Sequence, residues 1–305
     1  MRAIFKREFC SSFSGMMGWL LTAFLTAASA LYFFANNLGF GLPDFGYYTL
    51  YQTLFVLLVY VPVLAMRSFA EEKHSRTDQL LLTSPVSVWG IVLGKFLAMC
   101  AVFALPCLVD GVLIVVLRGL GCSNTALLSN LSSLVCYYLL GCAAIAICEF
   151  LSSLTENQII AAVLGFGVLL LTYLMPGLQS LFSAGSVVAL VVFTVLAAVI
   201  AFCAGLRSRS FTFGCFLFAG LAVCIAALFT FRSAWLTTAF SSALGGLSLF
   251  QPFEDFVNGS FSVPTLVYYI FVNGSFSVPT LVYYISVAGL FLFFTAQGIE
   301  KRRWN

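Results

Sequence analysis

Charge is what this sequence has least of. Of 305 residues, 8% are Asp, Glu, Lys or Arg, against about 25% in ordinary soluble domains. Histidine occurs once, as His74, with no cysteine or second histidine beside it, so a metal centre has no ligands to draw on. The ten cysteines never form C-x-x-C, and eight of them fall inside apolar runs, where a free thiol packs as a small hydrophobe. No G-x-x-x-x-G-K-[ST] occurs, so the chain has no phosphate-cradling loop and no nucleotide site of its own. No Ser/His/Asp set shares one compartment, and no basic-aromatic array suited to nucleic acid is present. Together these absences exclude the common hydrolase, metal and nucleic-acid classes. The basic start is interrupted by Glu8 and no small-residue cleavage site follows the first apolar run, so it is expected to be retained.

What fills the chain instead is apolar sequence, 62% hydrophobic with a mean hydropathy of +1.07. A membrane-spanning helix needs about 20 mostly apolar residues. Eight stretches qualify: Gly15 to Ala35, Tyr47 to Met66, Val88 to Leu117, Leu128 to Leu151, Ile159 to Met175, Val187 to Leu206, Phe211 to Phe231 and Leu281 to Ile299. The sixth and seventh make a tight hairpin around Arg207-Ser208-Arg209. The expected fold is therefore all-α: a polytopic membrane helix bundle treated as one domain over residues 1–305. With both termini on the inner side, 12 of the 14 basic residues fall at or near the inner face, and Arg118 and Arg232 alone fall outside.

Phe5, Phe9 and Phe13 recur every four residues, with Arg2, Lys6 and Arg7 on other faces. This spacing predicts an interfacial helix over residues 1–13, although a plain basic cap on the first span reads similarly. The longest charged segment, residues 67–87, lies between spans two and three. Glu71, Glu72, Lys73, His74, Arg76 and Asp78 are followed by Leu80 to Leu82, then by Ser84-Pro85 and a capping Ser87. It reads equally as an amphipathic surface helix that meets a partner or as a solvated loop followed by a snorkelling Lys95. Two acids interrupt apolar runs. Asp110 in span three is placed to face a cavity or to pair with Arg118. Glu149 in span four is close enough to the inner end to reach water, though intramembrane acids are also candidates for proton or substrate contacts. SSLTENQ, at the end of span four, reads as a polar turn or as a second docking surface through Glu156.

The 67–87 segment resembles the loop of ABC-2 type transporter permeases, especially the gliding-motility-type branch. The shared pattern covers Arg67, Phe69 to Lys73, Thr77, Leu80 to Thr83, Pro85, Val86 and Val92 to Phe96. The likeness extends to IFKREF (Ile4 to Phe9), SSLTENQIIAA (Ser152 to Ala162), LSLFQPFEDF (Leu247 to Phe256) and the terminal EKRRW. The resemblance implies the membrane half of an ATP-driven exporter, with a six-helix core plus an extra hairpin. It implies a partner ATPase that binds ATP and Mg, a second permease copy or a homologous permease, and a bacterial-type plasma membrane. No cofactor and no nucleic acid would be bound by this chain. Carried over, Glu71, Glu72, Arg76, Thr77 and Asp78 would form the coupling helix that docks on the ATPase, with Leu80 to Leu82 packing it down. A secondary transporter using Asp110 and Glu149, or a membrane scaffold, is the competing class.

One feature departs from the family pattern, which has a single such segment between the F-E-D-F motif and the last span. FVNGSFSVPTLVYYI occupies Phe256 to Ile270 and recurs without change at Phe271 to Ile285. The second copy runs directly into the last span. The first is too short and too broken by Pro264 to make a ninth crossing. Residues 256–285 are expected to be a duplication tolerated in an outer loop, arising from a recent copying event or an assembly error.

Overall fold

In the computed structural model the described residues are 2–77, 87–120, 124–183, 194, 245–246, 248–258 and 278–304. They are nearly all helical, with no strand among them. The order is α1 (Arg2–Ser14), α2 (Met16–Tyr32), α3 (Tyr51–Ala65), α4 (Ala70–His74), α5 (Val88–Gly119), α6 (Asn124–Leu154), α7 (Gln158–Ser183), α8 (Gln251–Asn258) and α9 (Val278–Trp304). Wider π-type turns, Phe33–Leu38 and Gly46–Leu50, end α2 and lead into α3.

The protein is a polytopic helical bundle. Six described helical runs are long and apolar enough to cross a membrane: Met16–Leu38, Gly46–His74, Val88–Gly119, Ser129–Leu154, Gln158–Gly177 and Thr280–Arg302. They coincide with the first five and the last of the expected spans. Spans six and seven lie outside the described residues, as does most of the doubled segment. Of the second copy, Val278 to Ile285 open α9, and Phe256 to Asn258 of the first end α8.

The chain divides into two compact units, residues 1–170 with 252–305, and residues 171–251. In the larger unit α6 packs against α3, α5 and α9, and α5 carries α1 and α2 on its other side. Its centre is aromatic: the Phe103 ring lies 5.8 Å from Tyr60 and from Tyr138, and 5.9 Å from Tyr137, which meets Phe253 at 6.0 Å. Gly141 makes this possible. A Cβ there would stand 2.1 Å from the Phe103 ring, so any larger residue would drive α5 and α6 apart. Ala143, Ala144 and Ala146 on the same helix are fully buried, the small side chains that let membrane helices approach closely. Trp19, Leu20, Phe24, Leu108 and Val112 are exposed, as a lipid-facing surface requires. In the smaller unit the Ser248 hydroxyl donates to the Thr172 carbonyl at 3.3 Å, and Tyr173 meets Phe250 edge-on at 5.4 Å.

One end of the larger unit is fastened by amides. Asn130 accepts from the Phe45 amide and donates to the Pro43 carbonyl, both at 3.0 Å, while Asn37 bridges Leu42 and Thr49 at 2.7 Å each. These side chains satisfy backbone groups that the turn between the first two spans leaves over. The opposite end is fastened by charge.

Candidate functional site

The charged end forms where α1, the segment after α3, the start of α5 and the turn after α6 meet. Lys95 sits two turns into α5, about 10 Å along the axis from Val88, and is 2% exposed. Its ammonium reaches Glu72 Oε2 at 3.0 Å, Glu8 Oε1 at 3.2 Å and the Ser68 carbonyl at 2.6 Å. It also stands 5.0 Å from the centre of the Phe69 ring, within cation-π range. Arg7 closes the other side, donating to Glu8 at 2.6 Å and to Glu72 at 2.7 Å. Two cations and two carboxylates from three separate chain segments thus alternate and balance.

A buried lysine of this kind is tolerated because every ammonium proton has an acceptor. The Glu8 carboxyl responds to the same arrangement. Burial pushes it up, but Lys95 and Arg7 outweigh burial and hold it below its ordinary value. The hydrogen bond that Arg7 donates to Glu8, with the charges of Glu8 and Glu72, raises Arg7 against the opposing effect of burial. Lys95 is therefore no snorkelling residue. It is the inner anchor of a network whose Glu8 lies 87 residues away in sequence.

The short helix α4 is held by a second clamp. Its first amides have no acceptor in the preceding turn. The Ser152 hydroxyl, from the end of α6, accepts from Phe69 N at 3.3 Å and Ala70 N at 3.2 Å and donates to the Met66 carbonyl at 3.3 Å. This is an N-cap supplied from across the bundle. Lys73 adds a hydrogen bond to the Ser153 carbonyl. Phe69, the residue before α4, sits in an apolar cluster with Val88, Val92, Ala146 and Ile299.

The C-terminal end of α4 is turned outward. Arg76 has φ +57, the left-handed region, and Thr77 N reaches back to the Glu72 carbonyl at 3.0 Å. That is the hydrogen-bond pattern of a helix stop in which glycine usually takes the left-handed position. Arg76 occupies it at a cost of roughly 1–2 kcal/mol, and its side chain is exposed. A side chain kept where glycine would be cheaper points to use of that side chain.

The expected coupling residues separate accordingly. Glu71, Arg76 and Thr77 are exposed, whereas Glu72 is turned inward to Lys95 and Arg7. Asp78 and Leu80 to Leu82 lie outside the described residues. Glu156 is 73% exposed and meets Arg302 of α9 at 3.7 Å, while Asn157 beside it caps α7 through Ile159 N at 2.9 Å. The polar-turn reading of SSLTENQ therefore holds for Asn157, and its serines do the more specific work at α4.

The intramembrane acids differ from expectation. Glu149 does not reach water: it is 0% exposed, and neither carboxyl oxygen has a hydrogen-bond partner among the described residues. It lies within electrostatic reach of Lys95 and Glu8 without pairing with either. Asp110 is also buried, with Ser29 of α2 beside it and Oδ1 unsatisfied. Arg118 is exposed and makes no ion pair with it. Asp110 stands 15 residues beyond Lys95 on one helix, about 22 Å, so the two acids do not form one site. Among the described residues no group of three His, Cys, Asp or Glu could hold a metal.

This combination of six apolar runs and a charge-clamped loop after the second agrees with the family comparison. Residues 41–187 match the family model of ABC-2 family transporter proteins. The match takes in α3 to α7, including the outward end of α4 and the Ser152 clamp. It supports a multi-pass ABC transporter permease, the non-enzymatic membrane component of such a system. No curated protein matches the chain. Within this ABC-2 segment Lys95 and Ser152 are the two positions whose roles a reading of the sequence missed. Both had a signal, since the L-G-K-F and S-S-L-T stretches belong to the shared pattern, but nothing local showed what they touch.

Proposed function

We propose that this chain is the permease subunit of an ATP-driven ABC-2 type exporter, akin to the gliding-motility-type branch. ATP and Mg belong to a separate ATPase, and the α4 segment is the cytoplasmic coupling element that meets it. The reading includes eight spans with both termini inside, a dimer with a second permease, and residence in a bacterial-type plasma membrane.

The observation that carries the proposal is the construction of α4. Its outer tip is exposed and bears Arg76 in a strained position, while its base is tied to α1, α5 and α6. A push on the tip therefore reaches three helices at once, which is what conversion of an ATPase movement into a rearrangement of spans requires. In this scheme Arg76 and Thr77 face the ATPase, Asp78 extends that face, and Glu71 and Glu72 transmit from behind it. The secondary-transporter alternative draws less support, because Asp110 stands about 22 Å along α5 from Lys95, near which Glu149 lies.

The test is co-purification with a co-expressed ABC-type ATPase. Arg76→Glu should remove at least about 90% of the complex, a loss on the scale of one charged interface contact. Arg76→Gly should weaken it nearly as much, although glycine suits the backbone there. Undiminished complex with both variants would overturn the assignment of α4.

A further inference from the structure

A cavity of about 160 Å³ lies beside the ion-pair network, between α1, α2, the residues after α3, and α5. Its chemistry is unfinished. Arg67 and Glu71 both line it, and neither side chain has an ion pair or hydrogen bond among the described residues. Ser68 also lines it, 8% exposed, and its hydroxyl has no partner among the described residues. Glu8 and Lys95 reach the same space, but they are occupied by each other and by Arg7 and Glu72. The charges left over are one cation and one anion, with a buried hydroxyl between them in sequence. Ser11 and Ser12 of α1 line it too, Leu21 and Met99 belong to its apolar part, and the same end of α2 exposes Met16, Trp19 and Leu20.

An anionic ligand would have to face Glu71, and a simple cation would have to face Arg67. A zwitterion satisfies both. Pockets that enclose a whole drug-sized ligand run to about 300–1,000 Å³, so this one takes a headgroup and leaves a hydrocarbon tail outside. We propose that the cavity binds the headgroup of a phospholipid bearing a primary amine, of the phosphoethanolamine type. The Arg67 guanidinium and the Ser68 hydroxyl donate to the phosphate, the ammonium donates to Glu71, and the acyl chains lie along the exposed face of α2. The proposal does not rest on the transport reading, since a lipid can be held here whether or not an ATPase moves the chain.

The test is native mass spectrometry of the full chain released from nanodiscs of equal parts phosphatidylethanolamine, phosphatidylglycerol and phosphatidylcholine. One phosphatidylethanolamine per chain should survive preferentially, because phosphatidylcholine has no ammonium proton for Glu71 and phosphatidylglycerol has no cation. Arg67→Ala should cut retention about tenfold or more, as the loss of one charge-assisted hydrogen bond does. Glu71→Gln should remove the preference over phosphatidylglycerol while leaving some binding. Ser11→Trp, at an exposed lining position, should block retention without touching a binding charge, and thermal unfolding of each variant reports folding. Equal retention of the three lipids, or retention unchanged by Arg67→Ala and Ser11→Trp in folded protein, would overturn the proposal. Displacement of the lipid by equimolar tail-free glycerophosphoethanolamine would also overturn it, by showing a site for a soluble ligand.

Discussion

Lys95 and Glu149 stand on neighbouring helices near the same end of the bundle, and both are almost wholly buried. Lys95 has two carboxylates, a carbonyl and an aromatic ring around it. Glu149 has no hydrogen bond at either oxygen among the described residues. The same burial therefore means different things. At Lys95 desolvation is offset by partners, and the residue holds α1, α4 and α5 together. At Glu149 no hydrogen bond among the described residues offsets the cost of burial. The first looks structural in origin and mechanical in effect; the second is the group whose presence packing does not explain.

Removing each member should separate these roles. Lys95→Met should give the largest loss of stability, about 3 kcal/mol, toward the low end of the cost of breaking a buried ion pair because Arg7 remains beside the two carboxylates. Thermal unfolding in detergent measures it, and a loss under about 1 kcal/mol would mean that the network holds nothing. Glu149→Met should leave stability unchanged or raise it by up to about 3 kcal/mol, the range attached to buried polar groups without hydrogen bonds. A clear loss instead would reveal a partner for that carboxyl and erase the contrast with Lys95.

A pH series sharpens the same comparison. The Glu8 carboxyl is held below its ordinary value by Lys95 and Arg7, against the opposing effect of burial. Such a group adds stability that is present above the ordinary carboxylate range and is lost as pH falls through its depressed value. Unfolding temperatures of the parent chain and of Glu8→Gln should therefore differ at neutral pH and converge in acid. Parallel curves would show that Glu8 is not charged in the network. The smallest effect belongs to the exposed pair. Glu156→Ala breaks a 3.7 Å contact between side chains 73% and 46% exposed, and solvent screening leaves it below about 0.5 kcal/mol.

What the sequence made legible follows from which forces act locally. Apolar length alone marks a membrane span, so the described spans appear where hydropathy places them. The phenylalanine stripe of α1 was equally local, and the rings do stack, Phe5 on Phe9 at 5.9 Å and Phe9 on Phe13 at 5.1 Å. Glu71 and Glu72 show the limit. They are adjacent and chemically identical, but a helix turns about 100° between them, so one faces outward and the other meets Lys95. A five-residue helix carries too little pattern to fix that phase. The Ser152 cap and the Glu8 partner lie more than 80 residues from the groups they satisfy, and no local spacing encodes such contacts. The doubled segment stays a matter of sequence, since residues 259–277 lie outside the described residues.

The central claim is that the outward end of α4 meets an ATPase while its base drives the bundle. A photo-crosslinking amino acid at position 76, compared with one at the lipid-facing position 19, tests this in membranes that contain both proteins. Position 76 should crosslink to the ATPase and position 19 should not, and the yield at 76 should change when ATP is added. Crosslinks from position 76 only to lipid or to a second copy of this chain, with the ATPase present and active, would contradict it.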